Sequence, residues 1–308
     1  MSALALRKKA KDTKKKPAAY LIKQNKVAYF FVAPYFILFS IFTILPVVIS
    51  ILFSFTYFNM LEWPTFIGLE NYINLFFNDD LWVTAVKNTF VYAVLTGPLG
   101  YLIAFLVAWF INEITPKIRA IIIVMFYAPA ISGNAAFIWS LIFSSDSYGY
   151  ANGILMYFGI IEEPITWMQN VDYIMPIIVI VALWGSLGTS FLSFVAGLQG
   201  VDRSLYEAAA VDGIKNRWQE LWFVTLPSMK PQLMFGAVLT ISGSLGVGAS
   251  MAGNPSTEYA AYFMSMHMSS FASERYEMGY ASAIATIMFL IMIICNKLFR
   301  KVLSKIGS

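Results

Sequence analysis

The stretch that decides the architecture reads SLYEAAAVDGIKNRWQELWFVTLPSMKP and covers residues 204–231. It is polar, and it stands between two long stretches, 173–201 and 231–257, that contain no Asp, Glu, Lys or Arg. The whole chain has 308 residues, of which 59% are hydrophobic and 12% are charged, and its mean hydropathy is +0.68. In ordinary soluble domains about a quarter of the residues are charged. The composition therefore predicts a membrane protein with several spans, in which residues 204–231 form a connecting loop.

Stretches without charge locate the predicted transmembrane helices, because Asp, Lys or Arg at the centre of a span costs about 2.5–3.5 kcal/mol on insertion. Each stretch must also hold the roughly 20 residues that cross the hydrocarbon core of a bilayer. Six stretches meet both conditions, at residues 27–61, 88–112, 120–145, 173–201, 231–257 and 278–296. We therefore predict an all-α fold with six transmembrane helices.

The distribution of basic residues predicts the orientation in the membrane. If the N-terminus is inside, all of the 21 Lys and Arg residues except Lys87 and Arg275 fall on the inner side. Such an excess of Lys and Arg marks cytoplasmic segments. We expect a basic cytoplasmic tail at 1–26 that contacts membrane lipid, a membrane domain at 27–300 and a cytoplasmic tail at 301–308. Loop 202–231 is then cytoplasmic as well, and nucleic-acid binding is not expected.

Several kinds of chemistry are missing from the sequence. Ion-coupled carriers keep a titratable side chain within the membrane, and the six predicted spans contain no Asp, Glu, His, Lys or Arg. The single His267 lies in a predicted outer loop, where we expect hydrogen bonds to water rather than a metal. Cys295 has no partner for a disulfide, so we expect a packing role. No phosphate-binding GxxxxGK[ST] motif occurs, so this chain is not expected to hydrolyse ATP.

The first half of the loop predicts a short helix. Ser204 followed by Glu207 is the pattern of a capping box, in which each side chain bonds the backbone of the other residue. Gly213 can end this helix, because glycine readily adopts the left-handed conformation at a helix C-terminus. An amphipathic helix that lies on the membrane surface, with its aromatic residues among the lipid headgroups, is the alternative interpretation of the loop.

The second half of the loop predicts another helical piece. Trp218, Leu221 and Trp222 are spaced by three and four residues, so they share one apolar face. Pro227 is expected to end this piece, because proline lacks the N–H that a helix interior requires. Pro231 is expected in the first turn of the next span, where the missing N–H costs little.

These residues carry a resemblance to a known family. Residues 207–213 together with Leu226, Pro227 and Pro231 resemble the EAA loop in permease subunits of binding-protein-dependent ABC importers. Four further motifs resemble the carbohydrate-uptake branch, which includes the maltose permease subunits: SFTYFN at 54–59, FIGLENY at 66–72, KNTF at 87–90 and AGLQGVDRSLYEAA at 196–209. The chain departs from the pattern at Ile214, where the family has Ala, and by one additional residue between Gly213 and Leu226.

The resemblance implies a type I importer permease with both termini in the cytoplasm, whose loop 202–231, here called the coupling loop, contacts an ATPase subunit. The residues that would make or support this contact are Glu207, Ala208, Ala209, Asp212, Gly213, Trp218 and Leu221. The implied partners are a second permease subunit in a heterodimer, two ATPase subunits and an extracytoplasmic solute-binding protein. The chain itself would hold no cofactor, because ATP and magnesium would bind the ATPase subunits. The resemblance also implies the cytoplasmic membrane of a bacterium or archaeon.

The uncharged spans indicate a neutral cargo. Hydroxyl and aromatic side chains suit a sugar or oligosaccharide, whereas a phosphate or metal ion would require charges. The family places its sugar site near mid-membrane, and our candidates for contact with substrate are Trp184, Ser186, Thr189 and Ser244. Packing between helices is the alternative role for these small residues.

Two other classes of function remain open at this point. A self-sufficient secondary carrier or channel for a neutral solute would need no ATPase subunit, but a carrier of this kind commonly keeps an ion-binding or titratable centre. A membrane enzyme or assembly factor would be expected to cluster His, Asp or Glu at one membrane face, and the sequence contains no such cluster.

Overall fold

The computed structural model of the protein describes residues 26–132, 135–246 and 258–303, and these ranges are mostly helical. The predicted tails at 1–26 and 301–308 fall almost wholly outside the described residues. Contacts divide the chain into two compact units, one ending at Leu52 and the other beginning at Phe53.

The first unit is formed by one long helical stretch. It consists of α1 (Lys26–Phe39), a π-helical turn (Ser40–Ile44) and α2 (Leu45–Phe53), whose last residue belongs to the second unit. Among the described residues of this stretch none is buried, although nearly all are apolar. A helix that is apolar on every side is typical of a membrane span.

The second unit holds the remaining elements. In chain order they are β1 (Thr56–Tyr57), β2 (Thr65–Phe66), α3 (Glu70–Phe77), α4 (Asp80–Asn112), α5 (Pro116–Ser132), α6 (Ala135–Ile142), α7 (Tyr150–Tyr157), α8 (Val171–Gly185), α9 (Thr189–Gln199), α10 (Arg203–Val211), α11 (Arg217–Glu220), α12 (Leu226–Ser228), α13 (Lys230–Leu245), α14 (Met264–Ser269) and α15 (Met278–Leu303). Two π-helical turns, Leu221–Thr225 and Ser270–Glu274, follow α11 and α14.

Helix α4 is the central element of the second unit. It spans 33 residues, carries Pro98 in its interior and packs against α8, α9 and α13. Its first turn is capped by Asp79, whose carboxylate accepts a hydrogen bond of 3.0 Å from the N–H of Trp82. The helix is therefore in contact with the elements around it along most of its length.

The small hairpin of β1 and β2 is fixed to the second unit through backbone contacts. Thr56 pairs with Phe66 and Tyr57 with Thr65 in an antiparallel register. The side-chain amide of Asn71 donates to the carbonyl oxygens of Ser54 and Thr56, at 2.9 and 3.0 Å. Because the chain enters this hairpin at Thr56, α2 ends at Phe53, although the uncharged stretch continues to residue 61.

A buried apolar cluster joins α4, α9 and α13 to the second half of the coupling loop. Its members include Phe105 and Ala108 of α4, Phe194 of α9, and Leu221 and Leu226 of the loop. Helices α9 and α13 approach so closely that a Cβ on Gly236 would lie 2.4 Å from the Phe194 ring. Small residues permit this kind of close helix packing in a membrane.

Four helical stretches among the described residues are long and apolar enough to cross a membrane: Lys26–Phe53, Asp80–Asn112, Val171–Gln199 and Met278–Lys301. They correspond to four of the six predicted spans. The other two predicted spans, 120–145 and 231–257, include residues outside the described ranges, so the number six stays a prediction.

The ends of the spans differ from the predicted ends in two further places. Helix α4 begins at Asp80 rather than near residue 88, because a missing charge marks the lipid-facing part of a helix and not its capped end. The stretch 173–201 is divided into α8 and α9, with a break at residues 186–188. This break places hydroxyl side chains at the start of α9.

Candidate functional site

A cavity of about 420 Å³ lies between α4, α8, α9 and α13. Three of the four sequence candidates for substrate contact, Ser186, Thr189 and Ser244, line this cavity. The other lining residues are Thr96, Ala182, Gly185, Gly188, Ser190, Leu239, Thr240 and Gly243. None of the described lining residues is charged, so this wall offers only hydroxyl, backbone and aliphatic groups.

Four of the six hydroxyl groups of the cavity share one arrangement. Each of these four donates its proton to a backbone carbonyl of the preceding helical turn. The donor and acceptor residues and the O–O distances are Thr96 to Tyr92 at 2.8 Å, Ser186 to Leu183 at 2.6 Å, Thr240 to Gly236 at 2.9 Å and Ser244 to Ile241 at 3.1 Å. A hydroxyl oxygen still has lone pairs when its proton is used in this way, so the wall can accept hydrogen bonds from a ligand.

Trp184, the fourth candidate, does not line this cavity. Its indole packs edge-on against the ring of Trp139, with the centroids 5.3 Å apart. The structure therefore brings Ser186, Thr189 and Ser244 together and leaves Trp184 outside. Contact of any of the four with a substrate stays a prediction.

Helix α4 contributes Thr96 to the cavity lining, and two of its glycines lie against lining residues of other elements. A Cβ on Gly97 would lie 3.3 Å from the Ser244 hydroxyl oxygen, and a Cβ on Gly100 would lie 3.0 Å from the Cβ of Ser186. These glycines, and Thr96 beside them, were not among the residues predicted to form a site. Small and hydroxyl residues occur throughout the spans, so composition alone does not tell which of them face one another.

The first half of the coupling loop is an exposed helix, α10. Its N-cap is Asp202, whose carboxylate accepts a hydrogen bond of 3.0 Å from the N–H of Ser204. This bond lowers the pKa of the Asp202 carboxyl below its usual value. The predicted capping box is therefore wrong: Ser204 lies inside the helix, because Asp202 begins it two residues earlier, and Glu207 is left exposed.

Gly213 ends α10, as predicted. Its φ of +94° lies in the left-handed region, which favours glycine. The N–H of Ile214 donates to the carbonyl of Ala209 at 3.0 Å, and the N–H of Gly213 donates to that of Ala210 at 3.3 Å. These two bonds form a Schellman motif. Of the candidate coupling residues in this half, Ala208, Asp212 and Gly213 are exposed, as Glu207 is, whereas Ala209 is buried.

The second half of the coupling loop is packed against the membrane helices. Leu221 is buried in the cluster formed with α4, but Trp218 and Trp222 remain 64% and 63% exposed. The predicted single apolar face is therefore divided. The π-helical turn Leu221–Thr225 changes the direction of the side chains along the segment. A π-helical turn accommodates one residue more than an α-helical turn. This turn lies between Gly213 and Leu226, where the chain has one residue more than the family pattern.

Pro227 does not end this segment, contrary to prediction. It lies in the first turn of α12, directly after the π-helical turn, where a missing N–H costs little. The backbone breaks at Met229 instead, and Pro231 occupies the first turn of α13 as predicted.

Two side-chain contacts join the second half of the loop to the last turn of α4 and the residue after it. The rings of Trp218 and Trp109 have centroids 5.2 Å apart. Arg217 forms ion pairs with Glu113, directly after α4, and with Glu220 in its own helix. Beside these contacts is a polar cleft of about 660 Å³, lined by charged residues that include Arg119, Arg203, Arg217 and Glu220.

His267 is buried and bonds protein side chains, whereas hydrogen bonds to water were predicted. Its Nε2 lies 2.9 Å from the carboxylate of Asp79, and its Nδ1 lies 3.2 Å from the hydroxyl of Tyr262. Tyr280 donates a further hydrogen bond of 2.8 Å to the same carboxylate. Burial lowers the pKa of the His267 imidazole, although the Asp79 carboxylate opposes this effect. These contacts join the N-terminal cap of α4 to α14 and α15.

Comparisons with known proteins agree with a membrane permease fold. No family model matches the chain. It is 33% identical over 284 residues to the probable ABC transporter permease protein YesP of Bacillus subtilis, covering 88% of each protein. It is 32% identical over 221 residues to the lactose transport system permease protein LacF of Rhizobium radiobacter, covering 70% of this chain and 72% of LacF.

Solved structures share the fold. A chain of a bacterial ABC transporter involved in import of the acidic polysaccharide alginate superposes with a TM-score of 0.76 at 23% identity, covering 95% of this chain and all of the other. A bacterial alginate ABC transporter in complex with an alginate pentasaccharide-bound periplasmic protein gives a TM-score of 0.75 at 23% identity, covering 94% and 98%. The chain is a multi-pass membrane protein and belongs to the family of sugar-transporting ABC transporter permeases.

Proposed function

We propose that this chain is the permease subunit of an ATP-driven importer that carries a neutral sugar or oligosaccharide. The observation that supports a neutral cargo is the cavity whose described lining residues include six hydroxyl side chains and no charged group. Its volume of about 420 Å³ falls within the range of about 300–1,000 Å³ for ligand pockets. A carboxylate inside this cavity would lose its water and find no cation on this wall, which is costly.

The relatives carry cargoes of both kinds. LacF is named for lactose, which is neutral, whereas the structural neighbours import acidic alginate. Identity to those neighbours is 23%, a level at which the fold is shared and the lining side chains are free to differ. The hydroxyl wall supports a neutral cargo for this chain.

Helix α10 is the proposed contact with the ATPase subunits. Glu207, Ala208, Asp212 and Gly213 are exposed at the surface of the coupling loop, and no other described element covers them. The carboxylate of Glu207 makes no hydrogen bond to any described residue, so it is available to a partner. ATP and magnesium would bind the partner subunits, and this chain would hydrolyse no nucleotide.

The proposed assembly contains this chain, a second permease, two ATPase subunits and an extracytoplasmic solute-binding protein. The stretch Lys26–Phe53, with no buried residue, supports a second permease or lipid around it. The proposed topology has six spans with both termini in the cytoplasm, in the inner membrane of a bacterium or archaeon. The excess of Lys and Arg on one side supports this orientation.

Transport into proteoliposomes tests the proposal. The complete complex is reconstituted with its binding protein, and ATP-dependent uptake of a labelled neutral oligosaccharide is compared with that of a uronic-acid oligosaccharide of equal length. The affinity of the binding protein for each sugar is measured separately. We expect ATP-dependent uptake of the neutral sugar at a rate at least about tenfold above that of the acidic one, after correction for binding-protein affinity, since about 1.4 kcal/mol corresponds to a factor of ten.

Two outcomes contradict the proposal. Uptake that proceeds at an unchanged rate without ATPase subunits would identify a self-sufficient carrier or channel. Faster uptake of the acidic sugar, at equal occupancy of the binding protein, would overturn the assignment of a neutral cargo.

A further inference from the structure

We propose that α4 transmits movement of the coupling loop to the wall of the cavity, and that Arg217 and Glu113 are positioning residues for this transmission. The inference rests on the proposed function, because it requires that an ATPase moves the loop. It concerns a second layer of contacts, behind the exposed face of α10, that joins the loop to a membrane helix.

The first step leads from α10 to the second half of the loop. Ala209 is the one buried residue of α10, so this helix has little apolar attachment of its own. The hydroxyl of Tyr206 lies 2.9 Å from the hydroxyl of Thr225, in the π-helical turn. Thr225 is itself 2% exposed, so a force on α10 reaches a buried point of the second half.

The second step leads from the second half of the loop to α4. Leu221 and Leu226 are buried in the same cluster as Phe105, Ala108 and Ile111 of α4. Protein interiors are closely packed and transmit displacement between neighbouring side chains. The loop and the inner half of α4 are therefore expected to move together.

Two further contacts extend this attachment to the end of α4: the ion pair between Arg217 and Glu113, and the ring contact between Trp218 and Trp109. Trp109 packs against the apolar cluster, and Glu113 lies about one turn beyond it, so the attachment continues past the last turn of α4. An attachment extended in this way resists rotation of the loop around α4 more than the cluster alone. Because both charged side chains are about half exposed, the pair contributes little to folding stability.

The third step leads along α4 to the cavity. Glu113 and Gly100 are separated by about 20 Å at 1.5 Å per residue, a distance that an α-helix bridges as a stiff rod. At that level Gly100 lies against Ser186 with no side chain of its own between them, and Gly97, one turn further, lies against Ser244 in the same way. A shift of α4 therefore changes the position of the cavity wall directly.

Pro98 lies between these two glycines and has no N–H for a bond to the preceding turn. Proline within a helix interior removes one backbone bond and permits a bend. The bend would be located where α4 meets the cavity, so a displacement of its inner half need not move its capped outer end.

Charge reversal tests the role of the ion pair. The variants Arg217→Glu and Glu113→Arg, and the double variant with both, are reconstituted with the ATPase subunits and the binding protein. The quantity measured is the number of sugar molecules transported per ATP hydrolysed. We expect each single reversal to lower this ratio by roughly twofold to thirtyfold, the range for residues that carry coupling between sites. The double reversal should restore the ratio, because the attraction is re-formed with opposite polarity.

Glu220→Gln is the matched control. It removes the other ion pair of Arg217, which lies within the loop and does not reach α4. We expect this variant to transport the wild-type amount of sugar per ATP. If Glu113→Arg does not insert in the membrane, Glu113→Gln provides the same comparison without a reversed charge.

A double reversal that does not restore the ratio would overturn the proposal, and so would single variants with the wild-type ratio. A general loss of structure would not be repaired by the second reversal. Co-purification of the ATPase subunits is measured for every variant and is expected to be unchanged. If the wild-type chain showed neither this association nor ATP-dependent uptake, the proposed function would fail instead, and the two failures are thereby distinguished.

Discussion

The two halves of the coupling loop have similar lengths and opposite environments. Eight of the nine residues of α10 are exposed or only partly covered. In the segment from Leu221 to Met229, by contrast, five residues are buried: Leu221, Val224, Thr225, Leu226 and Met229. The first half is therefore available for contact outside the chain, and the second is attached to α4, α9 and α13. The proposed coupling requires both properties, and they are separated by the turn at Gly213.

The largest effect on activity is expected from a change at this turn. Gly213→Val places a β-branched residue at a φ of +94°, a conformation that costs about 1–2 kcal/mol or more for residues with a Cβ. The Schellman motif would be lost, and α10 would no longer present Glu207 in a fixed position. We expect sugar-stimulated ATP hydrolysis by the reconstituted complex to fall by more than about tenfold, as for a loss of about 1.4 kcal/mol or more.

Gly159→Val is its matched control. Gly159 has a φ of +66° and, like Gly213, has no atom within 4 Å of a Cβ position, but it follows α7 and not the coupling loop. The same backbone strain should leave stimulated hydrolysis unchanged. An equal loss in both variants would mean that strain alone, and not the loop, causes the effect.

The next effect is on stability, and it separates the two faces of the second half. Leu221→Ala removes a side chain that is 7% exposed, and removing a buried leucine side chain costs about 2–5 kcal/mol. Trp222→Ala removes a larger but 63% exposed side chain next to it, so we expect a loss of stability below about 1 kcal/mol. Thermal unfolding in detergent measures both. Greater destabilisation by the tryptophan variant would contradict the described attachment.

A smaller effect is expected at the cavity to which the second half is joined through α4. Ser244→Ala removes a hydroxyl from the cavity wall, and one hydrogen bond contributes about 0.5–1.5 kcal/mol. We expect the KM for transport to rise by roughly twofold to tenfold, with a stable protein. Uptake measured over a range of sugar concentrations gives this value.

Ser140→Ala provides the control for the cavity. Ser140 donates to the carbonyl of Phe137 at 2.8 Å, as Ser244 does to Ile241, but it does not line the cavity. We expect its KM to equal that of the wild type. If both variants raise KM equally, the hydroxyls act through helix packing and not through the substrate.

The smallest effect concerns the opposite end of α4, where the cap at Asp79 contacts His267. Burial lowers the pKa of His267 in the folded protein. As the pH falls below the usual histidine pKa of about 6.5, the unfolded chain therefore takes up a proton at this side chain before the folded chain does. The contribution to stability is present above that pH and is lost as the pH falls toward the folded pKa, by at most about 1.4 kcal/mol per pH unit. Asp79, Arg275, Tyr262 and Tyr280 are the other charged or titratable groups near the ring.

The unfolding temperature measured between pH 7.5 and pH 5 tests this expectation. The wild type should lose stability through the window below pH 6.5, and His267→Gln should show a smaller slope there. If both proteins had the same slope, His267 would not be the group responsible. Coupling between the loop and the cavity should be unaffected at either pH, because this contact is at the capped end.

The sequence predicted the main features of the loop and missed its attachment. Gly213 marked the end of α10 because positive φ is a local requirement, and glycine meets it at little cost. Asp202 displaced Ser204 as the cap because several residues there can cap a helix, and the choice depends on where the chain leaves α9. The burial of Leu221 beside exposed Trp218 and Trp222 depends on a π-helical turn, which α-helical spacing does not reveal.

The cavity shows the same limit. Ser186, Thr189 and Ser244 were chosen as small polar residues in uncharged spans, and the folded chain places them around one space. Trp184 met the same criteria and packs against Trp139 instead. Thr96 was not chosen, because nothing local distinguishes it from hydroxyl residues that only bond their own helix.

The sequence by itself determined that this is a membrane protein of the ABC sugar permease family, with a polar coupling loop and uncharged spans. Composition and local motifs suffice for this, because the cost of charge in lipid and the needs of helix ends act on short segments. Only the tertiary structure decided that His267 is buried against Asp79, that Gly97 and Gly100 lie against Ser244 and Ser186, and that Arg217 reaches Glu113. Those contacts join residues far apart in the chain, and their formation depends on how helices pack, which local sequence does not specify.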